Sequence, residues 1–159
     1  MNADAGVGAA AAPRAAARLD DDLGWRLGVA GRLVRTLADA RLAEQGIGAQ
    51  GLALLLWLAE ERALTQVELA RRQRVEGPSV CRMVDRLERD GLVERRPHPL
   101  DRRATEVHLT PAGEEVAARG RAALDALASE VFAPLDDEER RTLAALLGRV
   151  IAAGSQGER

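Results

Sequence analysis

The spacing of apolar residues predicts that the chain begins with two helices of different character. The first is indicated by apolar residues at steps of four and three, the spacing of one helix face; they are Leu23, Leu27, Ala30, Val34 and Leu37. This helix should end near Gly46 and Gly48. Residues 52–61 are apolar almost all round, which is typical of a buried central helix. The start of this second helix carries no recognisable cap.

Two further helices follow, joined by a tight turn. Thr65 and Glu68 have the spacing of a capping box, so a short third helix begins there. Pro78 marks the first turn of a fourth helix, and Gly91 ends it. One face of the fourth helix is apolar, at positions Val80, Val84 and Leu87. Two helices joined in this way predict a helix-turn-helix unit.

The remaining pattern predicts a hairpin and two more helices. Residues 92–96 and 105–109 alternate between apolar and polar, as half-buried strands do, and the prolines between them exclude a helix. Thr110 and Pro111 then begin a fifth helix, and Asp136 begins a sixth. The sixth helix carries an apolar stripe: Leu143, Leu146, Leu147, Val150 and Ile151.

Charge adds a basic centre to this picture. The 159 residues carry a net charge of −2, but residues 62–103 hold eleven Arg against seven acidic residues, which gives +4 locally. The first 18 residues have no long apolar segment with a cleavage signal, and the longest apolar run is far shorter than the roughly 18 residues of a membrane span. With a single cysteine, Cys81, these features predict a cytoplasmic protein that binds no membrane.

The polar face of the fourth helix is the first candidate for binding chemistry. Ser79, Arg82 and Arg86 stand at i, i+3 and i+7, so they share one face. Ser reaches phosphates or bases, and Arg bonds guanine through two hydrogen bonds, so this face is suited to the major groove of DNA. The alternative is an ordinary solvated helix face.

The order of these elements resembles the MarR family of transcription factors. The resemblance is strongest from Gly91 to Gly113, which reads GLVERRPHPLDRRATEVHLTPAG, and extends more weakly over residues 20–152. It implies an α+β, mainly α-helical fold: a winged helix-turn-helix with dimerisation helices at both ends. The implied organisation is a disordered tail (1–19), an N-terminal dimerisation helix (20–48), a DNA-binding domain (49–110), C-terminal dimerisation helices (111–152) and a tail (153–159).

The resemblance identifies the predicted hairpin of residues 92–109 as the wing, and it also implies roles for residues at the tip of this wing. Asp101 and Arg103 correspond to a pair that braces the tip, and an Arg enters the minor groove, for which Arg102 and Arg103 are the candidates. A narrow minor groove concentrates negative potential and attracts guanidinium groups. The alternative is that both are exposed loop charges.

A small aromatic acid is the implied effector. Arg95 stands where some family members hold a carboxylate. Cys81, on the fourth helix, which is the recognition helix of the family, is expected to stand nearby, and Trp25 or Trp57 could cover the ring. A phosphate or strand-surface contact is the alternative for Arg95, and core packing is the alternative for both Trp residues. Cys81 is expected to be a small buried residue rather than a redox sensor.

No other chemistry is indicated. His98, Glu106 and His108 do not make a closed four-ligand set, so no metal or other cofactor is expected. No nucleophile and base stand in a convincing context, so the protein is not expected to be an enzyme. The predicted function is a homodimeric repressor that binds double-stranded DNA and is released from a pseudo-palindromic operator by the effector. The alternatives are a winged-helix protein-interaction module and a ligand-independent or activating regulator.

Overall fold

A computed structural model describes residues 18–101 and 103–154. The helices are α1 (Leu23–Leu42), α2 (Ala49–Glu61), α3 (Gln66–Gln73), α4 (Gly77–Arg89), α5 (Pro111–Val131) and α6 (Asp137–Gly154). The strands are β1 (Ala63–Thr65), β2 (Val93–Pro97) and β3 (Thr105–Leu109), and short 3₁₀ turns occupy Leu19–Asp21 and Ala43–Gln45. The described residues up to Val34 form one compact unit, and those from Arg35 form another.

The first unit consists of a 3₁₀ turn and most of α1. The carboxylate of Asp22 accepts a hydrogen bond from the backbone N–H of Trp25 at 2.7 Å, which satisfies a free donor at the start of the helix. The predicted apolar face is present but is not buried, since Leu23 is 82% exposed and Leu27 47% exposed. Within the described residues of this unit, nothing covers these two side chains.

The second unit has its core around α2, as the apolar pattern of residues 52–61 predicts. Leu52, Leu54, Leu55 and Leu58 are all buried. The helix begins at Ala49, three residues before the predicted start. Its cap comes from a distant residue, because the carboxylate of Asp39 in α1 accepts the N–H of Ala49 at 2.7 Å. Local sequence could not reveal this cap.

The capping box of α3 is present as predicted. The Thr65 hydroxyl accepts the N–H of Glu68, and the Glu68 carboxylate accepts the N–H of Thr65 at 2.8 Å. The bond from this backbone N–H, followed by the one from the Thr65 hydroxyl, lowers the pKa of Glu68 below its ordinary value.

Helix α4 buries the predicted face, with Val80 and Val84 fully inaccessible and Leu87 3% exposed. Pro78 lies in its first turn. Gly91 ends the segment with a φ of 71°, in the left-handed region that favours glycine. The opposite face of α4 is thereby directed to solvent.

Within the described residues, three strands form an antiparallel sheet in the order β1-β3-β2. The predicted hairpin pairs Arg95 with Val107 and Pro97 with Thr105. Strand β1 was not predicted; it pairs Leu64 with Val107 on the other side of β3. Three residues are too few to show an alternating pattern, so only the presence of β3 makes this segment a strand.

Helices α5 and α6 complete the chain. The Thr110 hydroxyl accepts the N–H of Gly113 at 3.1 Å, which caps α5 as predicted. Asp136 caps α6 through the N–H groups of Glu138 and Glu139. Helix α6 continues to Gly154, two residues beyond the predicted boundary at 152. The predicted tails lie outside the described residues, except for 18–19 and 153–154.

The apolar stripe of α6 is exposed, like that of α1. Val150 is 58% exposed and Ile151 52% exposed. Among the described residues, no single helix is both long and apolar enough to cross a membrane. The bent pair of α1 and α2 would be so by length and composition alone, and α2 places four leucines in the core.

Candidate nucleic-acid interface

The exposed face of α4 holds two of the residues that the sequence selects. Arg82 donates to the Ser79 hydroxyl at 3.2 Å, so the two side chains lie side by side. Arg82 is exposed, while the apolar residues of the same helix are buried against the core. A rigid helix therefore presents a guanidinium and a hydroxyl together to solvent, as readout in a groove requires.

Arg86 points to a different neighbour. Its guanidinium donates to the carbonyl of Gly46 at 3.3 Å and lies 3.7 Å from the carboxylate of Asp90. The side chain bridges α4 to the loop after α1, although it remains 65% exposed. The structure thus brings Ser79 and Arg82 together and directs Arg86 along the flank of the helix.

The tip of the wing is closed by its own hydrogen bonds. The Asp101 carboxylate accepts the backbone N–H of Arg103 at 2.9 Å, and the Asp101 carbonyl accepts the N–H of Ala104 at 3.0 Å. Asp101 is thus bonded to the backbone of Arg103, which leaves the Arg103 guanidinium exposed. Arg102, the other candidate for the minor groove, lies outside the described residues.

Arg95 joins the wing to α4. One guanidinium nitrogen bonds Glu88, and another bonds Asp85 at 2.6 Å. Glu88 also accepts the backbone N–H of Arg95 at 3.1 Å. Burial by itself lowers the pKa of Arg95, but the hydrogen bonds and charges of Asp85 and Glu88 outweigh it and raise the pKa above its ordinary value. An effector carboxylate at Arg95 would therefore compete with two carboxylates already in place.

Gln66 extends this network towards Cys81. With its amide oxygen turned to Arg95, Gln66 accepts hydrogen bonds from the guanidinium at 2.9 and 3.0 Å. This orientation is the favourable one, because the opposite orientation would set an N–H₂ group against the guanidinium. The Cys81 thiol lies 2.9 Å from the other side of the amide. Cys81 is exposed, so the expectation that it is buried is wrong; a residue on this face of α4 does not pack in the core.

Each Trp residue is stacked by an Arg from its own unit. Arg72 lies over the ring of Trp57 at 5.2 Å and also bonds Glu61, which ties α3 to α2. Arg32 lies over the ring of Trp25 at 5.6 Å. Trp25 is 41% exposed, and Trp57 is half-buried. A guanidinium over an aromatic face is itself a stabilising contact, so neither ring needs an effector to satisfy it.

An open cavity of about 770 Å³ lies between α2, α5 and the outer face of the sheet. Three guanidinium groups line it, from Arg62, Arg96 and Arg121. Arg121 lies 3.6 Å from Glu60, and Arg96 bonds Glu94. No acidic residue in the described part of the chain lies within ion-pair distance of Arg62.

Arg62 is also unusual in its backbone. It ends α2 with a φ of 67° and a ψ of −42°, a conformation that non-glycine residues rarely adopt. Strain of this kind is concentrated at functional sites, where the surrounding structure maintains it. Sequence reasoning did not select Arg62, Arg96 or Arg121, because they come from separate segments and carry no motif in common. The described residues contain no group of three or more metal-binding side chains arranged to hold a metal ion.

Comparison with known proteins gives a consistent set of relatives. The sequence profile of the MarR family matches residues 45–104. The chain is 38% identical over 92 residues to the uncharacterized HTH-type transcriptional regulator Mb0904 of Mycobacterium bovis, a match covering 58% of this chain and 64% of that protein. It is 35% identical over 112 residues to the uncharacterized HTH-type transcriptional regulator ML2140 of Mycobacterium leprae, covering 70% and 78%. The first of these matches thus spans less than two thirds of the relative's length.

Solved structures extend the likeness over most of the chain. A probable transcriptional regulator from Pseudomonas aeruginosa is 32% identical with a TM-score of 0.78, covering 84% of this chain and 99% of that one. A mutant MarR from E. coli complexed with operator DNA is 29% identical with a TM-score of 0.76, covering 80% and 92%. CouR from Rhodococcus jostii RHA1, bound to p-coumaroyl-CoA, is 25% identical with a TM-score of 0.77, covering 83% and 93%.

Proposed function

Since this chain belongs to the MarR family and has its winged-helix fold, we propose that it is a transcriptional regulator that binds a specific double-stranded DNA sequence. One observation carries the proposal: α4 buries its apolar face completely and presents Ser79 and Arg82 together on the exposed side. A MarR from E. coli with the same fold is complexed with operator DNA, which supports this use of the fold. The proposed site of action is the cytoplasm, at the nucleoid.

The proposed DNA-binding surface has two parts, one on α4 and one at the tip of the wing. Arg82, with Ser79, reads base edges in the major groove, and Arg102 or Arg103 enters the minor groove from the wing, while Asp101 maintains the tip. Arg86 is a less direct candidate, because its contacts are with Gly46 and Asp90. Arg86 can contact a DNA phosphate only after its long hydrogen bond to Gly46 and its ion pair with Asp90 are broken.

A homodimer is the proposed assembly. In the described part of the chain, α1 and α6 each carry an exposed apolar face, and surfaces of this kind are usually covered in an assembly. In a two-fold dimer the two recognition helices are expected to lie about 34 Å apart, one turn of DNA. Deleting residues 136–159 should abolish the dimer. A full-length monomer at micromolar concentration that still binds DNA tightly would contradict this assembly.

Repression is the proposed mode of action, because occupancy of a promoter is sufficient to block it. The proposed signal is a small aromatic anion that releases the DNA. Two sites compete for it. One is Arg95 with Cys81, Trp25 and Trp57, and the other is the cavity lined by Arg62, Arg96 and Arg121. We favour the cavity, because it is open and no carboxylate of the described residues forms an ion pair with Arg62, whereas Arg95 is engaged by two.

DNA binding is tested with a duplex enriched from a randomised pool by the wild-type protein, beside a scrambled duplex of equal length. Arg82→Ala should weaken binding to the enriched duplex by about 1 to 3 kcal/mol and leave the scrambled duplex almost unaffected. Arg119→Ala is the control, because Arg119 is an exposed residue of α5 whose carboxylate neighbour among the described residues is Glu115, at 3.7 Å. Failure of the wild type to enrich any sequence would favour the alternative function, a module that binds an acidic protein.

The effector is tested by adding salicylate, and separately p-coumaroyl-CoA, to the protein–DNA complex. The second probe is chosen because CouR is bound to it. A coupling of about 1 to 3 kcal/mol would weaken DNA binding roughly 5- to 150-fold. Arg62→Ala should abolish the response if the cavity is the site, and Arg95→Ala should abolish it if the first hypothesis is correct. A wild type that responds to neither probe at millimolar concentration would leave a ligand-independent regulator as the better description.

A further inference from the structure

The imidazole of His98 occupies the inside of the wing tip. Its Nδ1 atom accepts hydrogen bonds from two successive backbone N–H groups, those of Leu100 and Asp101, each at 3.1 Å. A ring nitrogen can accept a hydrogen bond only when it carries no proton. The proton of the neutral ring therefore lies on Nε2.

The opposite side of the ring fits this assignment. Nε2 of His98 lies 3.5 Å from one carboxylate oxygen of Glu106. The other oxygen of Glu106 is 3.0 Å from Nε2 of His108. All three side chains are half-buried on the outer face of the sheet, with Glu106 17% exposed. The carboxylate is thus held between two rings and favours an N–H on the His98 nitrogen that faces it.

His98 and Asp101 fix the two sides of the same turn. The backbone N–H of His98 donates to the carbonyl of Ala104 at 3.1 Å, which closes the loop at its base. The Asp101 carboxylate accepts the N–H of Arg103 at 2.9 Å on the far side of the tip. Without Nδ1 of His98 as acceptor, the backbone N–H groups of Leu100 and Asp101 would have to donate their hydrogen bonds to water instead. The turn that presents Arg103 would then lose two of its hydrogen bonds.

We propose that His98 is a positioning residue for DNA recognition, whose Nδ1 atom sets the conformation of the wing tip before DNA is bound. This inference rests on the proposed DNA-binding function and on the wing as one of its contacts. A tip that already has its bound conformation loses less conformational entropy on binding, so the guanidinium groups at its end bind more tightly. His98 itself contacts no DNA group in this mechanism.

Two substitutions at the same position separate the Nδ1 role from general packing. In His98→Asn the amide oxygen takes the place of Nδ1 and can accept the same two N–H groups. In His98→Gln the polar end takes the place of Nε2, and nothing accepts from the tip. We expect His98→Asn to bind the enriched duplex within about twofold of the wild type and His98→Gln to bind about tenfold more weakly, the equivalent of roughly 1.4 kcal/mol.

The salt dependence supplies a readout that a loss of folding would not produce. His98→Gln should lower the magnitude of the slope of log K against log salt by about one, because an Arg at the tip no longer enters the minor groove and displaces a counterion there. His98→Asn should keep the wild-type slope. Thermal unfolding of both variants confirms that each is folded. Equal affinities in the two variants, or a stronger loss in His98→Asn, would overturn the proposal.

The tautomer is tested without DNA. A long-range ¹H–¹⁵N spectrum of the wild-type protein should show Nδ1 of His98 as the unprotonated ring nitrogen and Nε2 as the protonated one. The reverse assignment would overturn the proposal even if DNA binds. If the assignment holds but no sequence is enriched from the pool, the error lies in the proposed function and not in the geometry of the tip.

Discussion

Gly113 lies where the wing meets α5, and we expect Gly113→Ala to destabilise the protein strongly. A Cβ atom at this position would lie 2.0 Å from the carbonyl oxygen of Leu92 and 3.1 Å from a methyl group of Leu109. An ordinary contact between carbon and oxygen is about 3.4 Å, so the start of α5 would have to retreat by more than about 1 Å. The obstacle is backbone, which no change of rotamer can remove.

The magnitude follows from what this retreat disrupts. The same Leu92 carbonyl accepts the N–H of Thr110 at 3.1 Å, and the Thr110 hydroxyl caps α5. Overpacking costs about 1 to 3 kcal/mol, and the loss of the cap or of this hydrogen bond costs about 1 kcal/mol each. The greater helix propensity of Ala offsets this destabilisation by less than about 1 kcal/mol. We therefore expect a loss of about 3 kcal/mol, or roughly 6 to 12 °C in Tm.

The assay is urea and thermal unfolding, followed by circular dichroism at one fixed protomer concentration, because unfolding of a dimer depends on concentration. Gly148→Ala in α6 is the matched control: a Cβ there meets nothing within 4 Å, so the protein should be unchanged or more stable by up to about 1 kcal/mol. The reasoning would be refuted if the free energy of unfolding of Gly113→Ala lay within about 0.5 kcal/mol of the wild-type value. It would also be refuted if Gly148→Ala were destabilised as much as Gly113→Ala.

The remaining predictions concern packing, charge and the wing. Gly120→Ala places a Cβ 2.3 Å from a methyl group of Leu52 and should cost about 1 to 2 kcal/mol; Leu52→Val in the same chain should recover part of this loss in urea unfolding. Because the pKa of Glu68 is lowered in the folded protein by its bonds with Thr65, its contribution to stability is complete above the ordinary value of 4.5 and is lost as the pH falls through the folded value. Wild-type protein should therefore lose more unfolding free energy than Glu68→Gln below pH 4.5, and parallel curves would refute this. Arg95→Met should weaken binding to the enriched duplex and lower stability by about 1 to 3 kcal/mol, without abolishing the salicylate response; a selective loss of that response would instead support Arg95 as the effector ligand.

The polar face of α4 that we propose reads DNA could be predicted from local sequence, because helical periodicity places Ser79 and Arg82 on one side whatever surrounds the helix. The same reasoning grouped Arg86 with them. Periodicity predicts the direction in which a side chain projects from the helix, but it does not predict what that side chain contacts. Arg86 bonds the carbonyl of Gly46, which lies 40 residues away in the sequence, so local sequence could not reveal this contact.

The wing shows the same division. Alternation and two prolines were enough to predict β2 and β3. The resemblance to the MarR family, and not the pattern itself, implied that Asp101 and Arg103 brace the tip. The acceptor role of His98 could not be predicted, because it depends on the direction in which the ring points and on Glu106 across the sheet.

The sequence by itself determined the order of the helices and of strands β2 and β3, the caps of α3, α5 and α6, the buried face of α4 and the family, because each of these depends on residues a few positions apart. Tertiary structure decided the rest. It made β1 a strand by bringing it beside β3, capped α2 from Asp39, and engaged Arg95 with two carboxylates of α4. It also gathered Arg62, Arg96 and Arg121 around one cavity. These features join segments that are distant in the chain, and only the packing of α2, α5 and the sheet brings such segments within the few ångströms over which hydrogen bonds and ion pairs act.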